Sequence, residues 1–161
     1  MRAAALLALA VCGLAAAQTG APQRLDHSGS PRPRVHAPME WAYSLRGSGG
    51  DPERLHQMQA QVPGVEVRLD TRAYRGQRVM IHIGLEEPVQ GLLSTHSLEL
   101  RWQGRGRFSP GRLVPGQRSP LFAGVVDQDE LADILDFHIT FDDRDRDGAI
   151  QLEFYYDIEP R

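Results

Sequence analysis

Apolar and polar residues alternate with a period of two in segment after segment of this chain, and that rhythm restricts its fold more than any other feature. In a strand, successive side chains point to opposite faces, so one apolar face can be buried while the other meets water. Trp41, Tyr43 and Leu45 alternate in this way, and so do Val65, Val67 and Leu69. Val79, Ile81, Ile83 and Leu85 follow, then Leu98, Leu100 and Trp102, then a short apolar run over residues 121–126. Leu135, Phe137, Ile139 and Phe141 come next, and Ile150, Leu152, Phe154, Tyr156 and Ile158 close the series. Seven such segments, parted by turns that carry Gly or Pro, predict two antiparallel sheets packed face to face.

The expected class is therefore all-β, an antiparallel β-sandwich that is immunoglobulin-like or similar, with about seven strands and one short helix. A small β-barrel would show the same alternation and is the alternative. The helix is placed at Asp51-Pro52-Glu53, with Asp51 as cap, Pro52 at the first helical position, and Leu55 and Met58 turned to the core. Residues 127–135 are read as holding a further helical turn.

The start of the chain has a different character. Met1-Arg2 supplies a minimal positive end, residues 3–17 are apolar throughout, and Ala15-Ala16-Ala17 offers small residues for cleavage ahead of Gln18. This three-part layout is that of a secretory signal peptide over residues 1–17, too short and wrongly flanked for a membrane span. The expected location is the periplasm or the exterior of a bacterium. Cys12 is the single cysteine. Leu9-Ala10-Val11-Cys12 resembles a lipoprotein cleavage box, but Val11 stands where such boxes carry a small residue. A lipid anchor at Cys12 is thus the lesser expectation, and the processed chain has no disulfide to support it. Residues 18–38, rich in Pro, Gly, Ser and Arg, read as a flexible tether, which leaves residues 39–161 as a single domain.

Charge is unevenly divided, although the formal net value is only −3. Residues 18–126 hold 14 arginines and 9 acids, a balance of +5, whereas residues 127–161 hold 3 and 12, a balance of −9. Arg101, Arg105, Arg107, Arg112 and Arg118 form a run that contains no acid. Pairing of basic and acidic strands inside one domain is the expected outcome; two opposed faces gripping a charged partner is the alternative. The small net charge argues against nucleic acid as a partner. An envelope protein or polymer is expected instead.

Asp143-Arg144-Asp145-Arg146-Asp147-Gly148 is the most specific short motif. Alternate carboxylates closed by a glycine gather hard oxygen ligands, and the run resembles the first half of an EF-hand loop. The resemblance implies Ca²⁺ ligation by Asp143, Asp145 and Asp147. It fails at the twelfth position, where Phe154 replaces the glutamate that such loops carry. The competing reading makes Asp147-Gly148 the tip of a tight hairpin. No catalytic arrangement stands out. The chain lacks a Gly-x-Ser-x-Gly elbow, a His-Glu-x-x-His pair and a processed cysteine nucleophile, and Glu86 and Glu87 would point to opposite faces of a strand. Met80 and His82 share the polar face of one strand, and no two histidines stand at a recognised ligand spacing. Residues 148–161, a glycine followed by a long alternating strand, resemble the C-termini of surface-fibre subunits assembled by strand donation. Such subunits carry a disulfide, which is absent here. The expected work is accordingly non-catalytic: binding or structural support in the cell envelope. The alternatives are a calcium-stabilised recognition module and a subunit of a surface assembly built by strand addition.

Overall fold

A computed structural model describes residues 21–31, 37–42 and 55–161. The signal-peptide stretch, Cys12 and the helix start at Asp51 lie outside the described residues. Within them the chain is all-β and sandwich-like, and no helix is long and apolar enough to cross a membrane. The strands are β1 (Gln23–Arg24), β2 (Met39–Trp41), β3 (Gln57–Asp70), β4 (Arg78–Leu85), β5 (Gln90–Leu92) and β6 (Glu99–Gly104), followed by β7 (Gly111–Leu113), β8 (Arg118–Val125), β9 (Glu130–Asp142), β10 (Arg146–Gln151) and β11 (Phe154–Pro160). One sheet runs β1-β11-β4-β8 and the other β2-β3-β9-β6-β7, while β10 and β5 form a separate pair. All pairings are antiparallel.

The alternating residues build one apolar core. Val79, Ile81, Ile83, Tyr156 and Ile158 come from the four-stranded sheet; Leu69, Leu100, Trp102, Leu135 and Phe141 come from the five-stranded one. Phe154 stacks on Phe137 with ring centres 5.0 Å apart, joining the two layers. Trp102 is buried with its indole N–H donated to the Ser109 carbonyl at 2.8 Å, as a buried indole requires.

Five expectations need correction. Among the described residues there are eleven strands, because short strands fill the sheet edges and β10 and β5 form a pair of their own. Met58 is buried on β3, not on a helix, and Leu55 is exposed. In β3 the inward positions are Met58 and Ala60 before Pro63-Gly64, and Val67 and Leu69 after it. The register shift between Val62 and Val65, with Gly64 at φ 75°, exchanges the faces. Residues 130–135 are strand rather than helical turn, since Leu131, Asp133 and Leu135 all point inward. Asp147-Gly148 is not a hairpin tip. The chain turns at the 3₁₀ residues Asp143–Asp145, and β10 then leaves β9 to pair with β5.

The fifth correction concerns the expected tether. Part of it belongs to the fold: the Leu25 N–H bonds to the Tyr156 carbonyl at 2.8 Å, and the Leu25 side chain is buried. The segment then crosses to the other sheet. The Asp26 carbonyl accepts from the Asp70 N–H at 3.0 Å, and the Ser30 hydroxyl accepts from the Arg68 N–H at 2.8 Å. Residues 23–30 thus strap one open side of the sandwich. On the other side, the Ser109 N–H bonds to the Leu121 carbonyl of β8 at 2.8 Å. Because β1, β2 and β7 have only two or three residues each, three sheet edges offer little backbone to an incoming strand.

Candidate functional site

The arginine run does not form a free cationic face. Arg105 and Arg107 grip Asp136 and Asp127 through two nitrogens each. Arg101 and Arg112 both reach Glu99, and Arg118 reaches Asp157 and Glu159. Arg105, Arg107 and Arg118 therefore meet acids of the C-terminal third, as expected from the charge division, while Arg101 and Arg112 share Glu99 of their own stretch. These pairs hold side chains in place more than they stabilise the fold, since exposed ion pairs contribute little.

The outer face of the four-stranded sheet carries a polar cluster around Tyr155. Tyr155 of β11 lies opposite Gly84 of β4, and a Cβ at Gly84 would stand 2.1 Å from the Tyr155 ring, so only glycine lets the phenol lie flat on the strand. Arg24 covers the ring from above, its guanidinium carbon 4.0 Å from the ring centre, and also pairs with Glu86 and Asp157. Tyr155 is consequently occupied within the molecule. Among the aromatic residues named above, Trp102 is buried, while Trp41 is 55% exposed on the edge strand β2.

The acid loop is held by its own arginines. Arg144 clamps Asp142 through Nε and a terminal nitrogen at 2.9 and 2.5 Å, which holds that carboxyl down at about 2. Arg146 lies 3.7 Å from Asp143, and Asp145 accepts the Ser97 hydroxyl at 2.7 Å. Asp147 is exposed on β10. Among the described residues no three His, Cys, Asp or Glu side chains are grouped to hold a metal ion. Millimolar calcium should therefore leave the thermal unfolding midpoint unchanged. A saturable rise, lost in Asp145→Ala and Asp147→Ala, would restore the ion loop, because a ligand specific to the folded state must stabilise it. The histidines are also dispersed: His82 and His138 sit on different sheets, and His96 is exposed beside Ser94 at 2.8 Å.

The described residues also form a concave surface. Where the strap crosses the paired ends of β3 and β9, Asp26, Asp70, Asp129 and Glu130 converge with Arg68 and Arg72 around an open cleft of about 410 Å³. The Ser28 N–H donates to Asp26 at 2.8 Å and lowers the pKa of its carboxyl; Arg72 holds Asp70 at about 2. Both carboxylates are thus ionised over the whole ordinary pH range. Arg68 pairs with Glu66 and Glu130, and Arg75 with Asp129. Four acids against two lining arginines leave the cleft net negative. Sequence reasoning misses this cleft because its residues are far apart in the chain and the composition of the strap is that of a tether. The spacing of Asp26 and Ser28, which allows a local side-chain-to-backbone turn, was the available signal.

Fold and site together define an all-β, sandwich-like protein with an open, charged cleft on one edge. Compared with known proteins, the chain matches no family model, no curated protein and no solved structure.

Proposed function

We propose that this is an exported, non-catalytic binding module of the bacterial cell envelope, and that it recognises a partner bearing cationic groups through the strap-side cleft. The observation that carries the reading is the convergence of Asp26, Asp70, Asp129 and Glu130 on one open concavity. Support for binding over catalysis comes from the chemistry of the lining. Its groups are carboxylates and guanidiniums already engaged with one another, which suits electrostatic complementarity rather than proton transfer. Support for export comes from the charged, apolar and small-residue order of the first seventeen residues.

Two measurements test this. Expression of the whole chain in a Gram-negative host, fractionation and intact-mass analysis should find protein beginning at Gln18 outside the cytoplasm; uncleaved cytoplasmic protein would overturn export. For recognition, an oligo-lysine peptide is titrated against the purified protein at low salt by fluorescence anisotropy. Saturable binding that falls at least tenfold in Asp26→Asn/Glu130→Gln is expected. Binding that ignores these substitutions, or no binding, would remove the cleft as the recognition surface.

A further inference from the structure

Among the described residues, one buried side-chain nitrogen has no hydrogen-bond partner: Nδ1 of His82. Such groups are rare in folded proteins and ask for an explanation. His82 lies on the outer face of β4, opposite Asp157 of β11 and Pro120 of β8, and its side chain is only 15% exposed. The nearest acid is Glu159, whose Oε1 lies 3.9 Å from Nδ1, just beyond hydrogen-bond reach. That same Oε1 is 3.2 Å from the Arg118 guanidinium, which also reaches Asp157 at 3.4 Å. Arg118 of β8 thus reaches across β4, the strand that carries His82, to two carboxylates of β11.

We propose that His82 and Arg118 compete for Oε1 of Glu159, making this cluster an acid-operated latch on the outer face of the four-stranded sheet. At neutral pH the imidazole is uncharged, and Arg118 ties β8 to both acids of β11. Protonation makes both ring nitrogens donors, so the Nδ1 proton needs an acceptor, and Glu159 is the one at hand. The carboxylate then moves from Arg118 to His82, and Arg118 keeps only Asp157. The charged groups acting on the ring are Glu159 and Asp157, which favour its protonation, and Arg118 and Arg161, which oppose it. Arg24 draws on Asp157 from β1 at 3.3 Å. Burial is the largest influence and sets the folded-state pKa of His82 below 6.5. The sign follows. Above 6.5 the ring is neutral both folded and unfolded, so nothing is lost. As pH falls below 6.5 the unfolded chain takes the proton first, and stability declines until the folded pKa is passed.

NMR of the purified protein tests the latch by following the His82 ring and the Arg118 side-chain N–H together. The expected result is a single shared midpoint below 6.5, moved downward in Glu159→Gln and upward in Arg118→Gln. An Arg118 signal that does not follow His82 would overturn the competition, as would a His82 midpoint indifferent to both substitutions. A second measurement does not depend on those variants: urea unfolding between pH 7.5 and 5 should lose more stability in the wild-type protein than in His82→Gln. Parallel profiles would remove His82 as the responding group.

Discussion

Replacing Leu25 with alanine lowers the free energy of unfolding by about 2–5 kcal/mol, the range for truncating a buried leucine. The expectation rests on placement. Leu25 is 4% exposed, belongs to the apolar core and holds its backbone N–H on the Tyr156 carbonyl at 2.8 Å. Its neighbour Arg24 has a side chain 52% exposed, and its ion pairs with Glu86 and Asp157 lie at the surface. Arg24→Ala is therefore expected to cost only about 0–1 kcal/mol, plus a contribution of similar size from the lost contact with Tyr155. Urea unfolding of both variants at neutral pH measures the difference. If Leu25→Ala cost no more than Arg24→Ala, the strap would be loosely attached and the segment would act as a tether after all. The same variant bears on the proposed function, because a strap that is not anchored at Leu25 cannot hold Asp26 at the rim of the cleft.

The second large effect is expected at Asp133. This carboxylate occupies an inward position of β9 between Leu131 and Leu135 and is 8% exposed. Its Oδ2 accepts the Phe108 N–H at 2.7 Å, and its Oδ1 accepts the Ile134 N–H at 2.7 Å. Phe108 is itself buried, so Asp133→Ala strands a backbone donor away from water and costs about 1–3 kcal/mol for that donor alone. Asp133→Asn keeps one acceptor oxygen and should fall between wild type and Ala. The bend held by Asp133 carries Arg105 and Arg107, whose pairs with Asp136 and Asp127 depend on its position. Denaturant unfolding of the two variants checks the order. An alanine variant as stable as wild type would show that the bend is held by other contacts.

These two residues also mark where the fold was hard to read. The apolar residues of β4, β6 and β11 alternate without interruption, so burial of one face was legible directly from the chain. The first half of β9 was not, because Asp133 takes an inward position and breaks the apolar rhythm that identifies a strand. A buried carboxylate is tolerated there because it accepts from the Ile134 N–H of its own strand and from the Phe108 N–H, which pairing between β6 and β9 brings near. The first half of β3 was hidden for a different reason. Gln57, Gln59 and Gln61 alternate with Met58, Ala60 and Val62, a weak pattern whose phase reverses at the Pro63-Gly64 bulge. Local helix signals at Asp51-Pro52 outweighed it. Of the candidate sites, the acid loop was the most visible in the sequence, yet its own arginines and Ser97 engage it. The cleft and the His82 latch were invisible because each joins residues from separate strands.

The sequence by itself determined the all-β class and the inward faces of the strongest strands. These follow from side-chain alternation, a property of neighbouring positions along a strand. Only the tertiary structure decided that Leu25 closes the sandwich, that β10 pairs with β5, and that Glu159 stands between Arg118 and His82. Those outcomes depend on strand order and register, which set distances between residues remote in the chain. Local propensity carries no term for such distances; burial, backbone hydrogen bonding and the space between two packed sheets supply it.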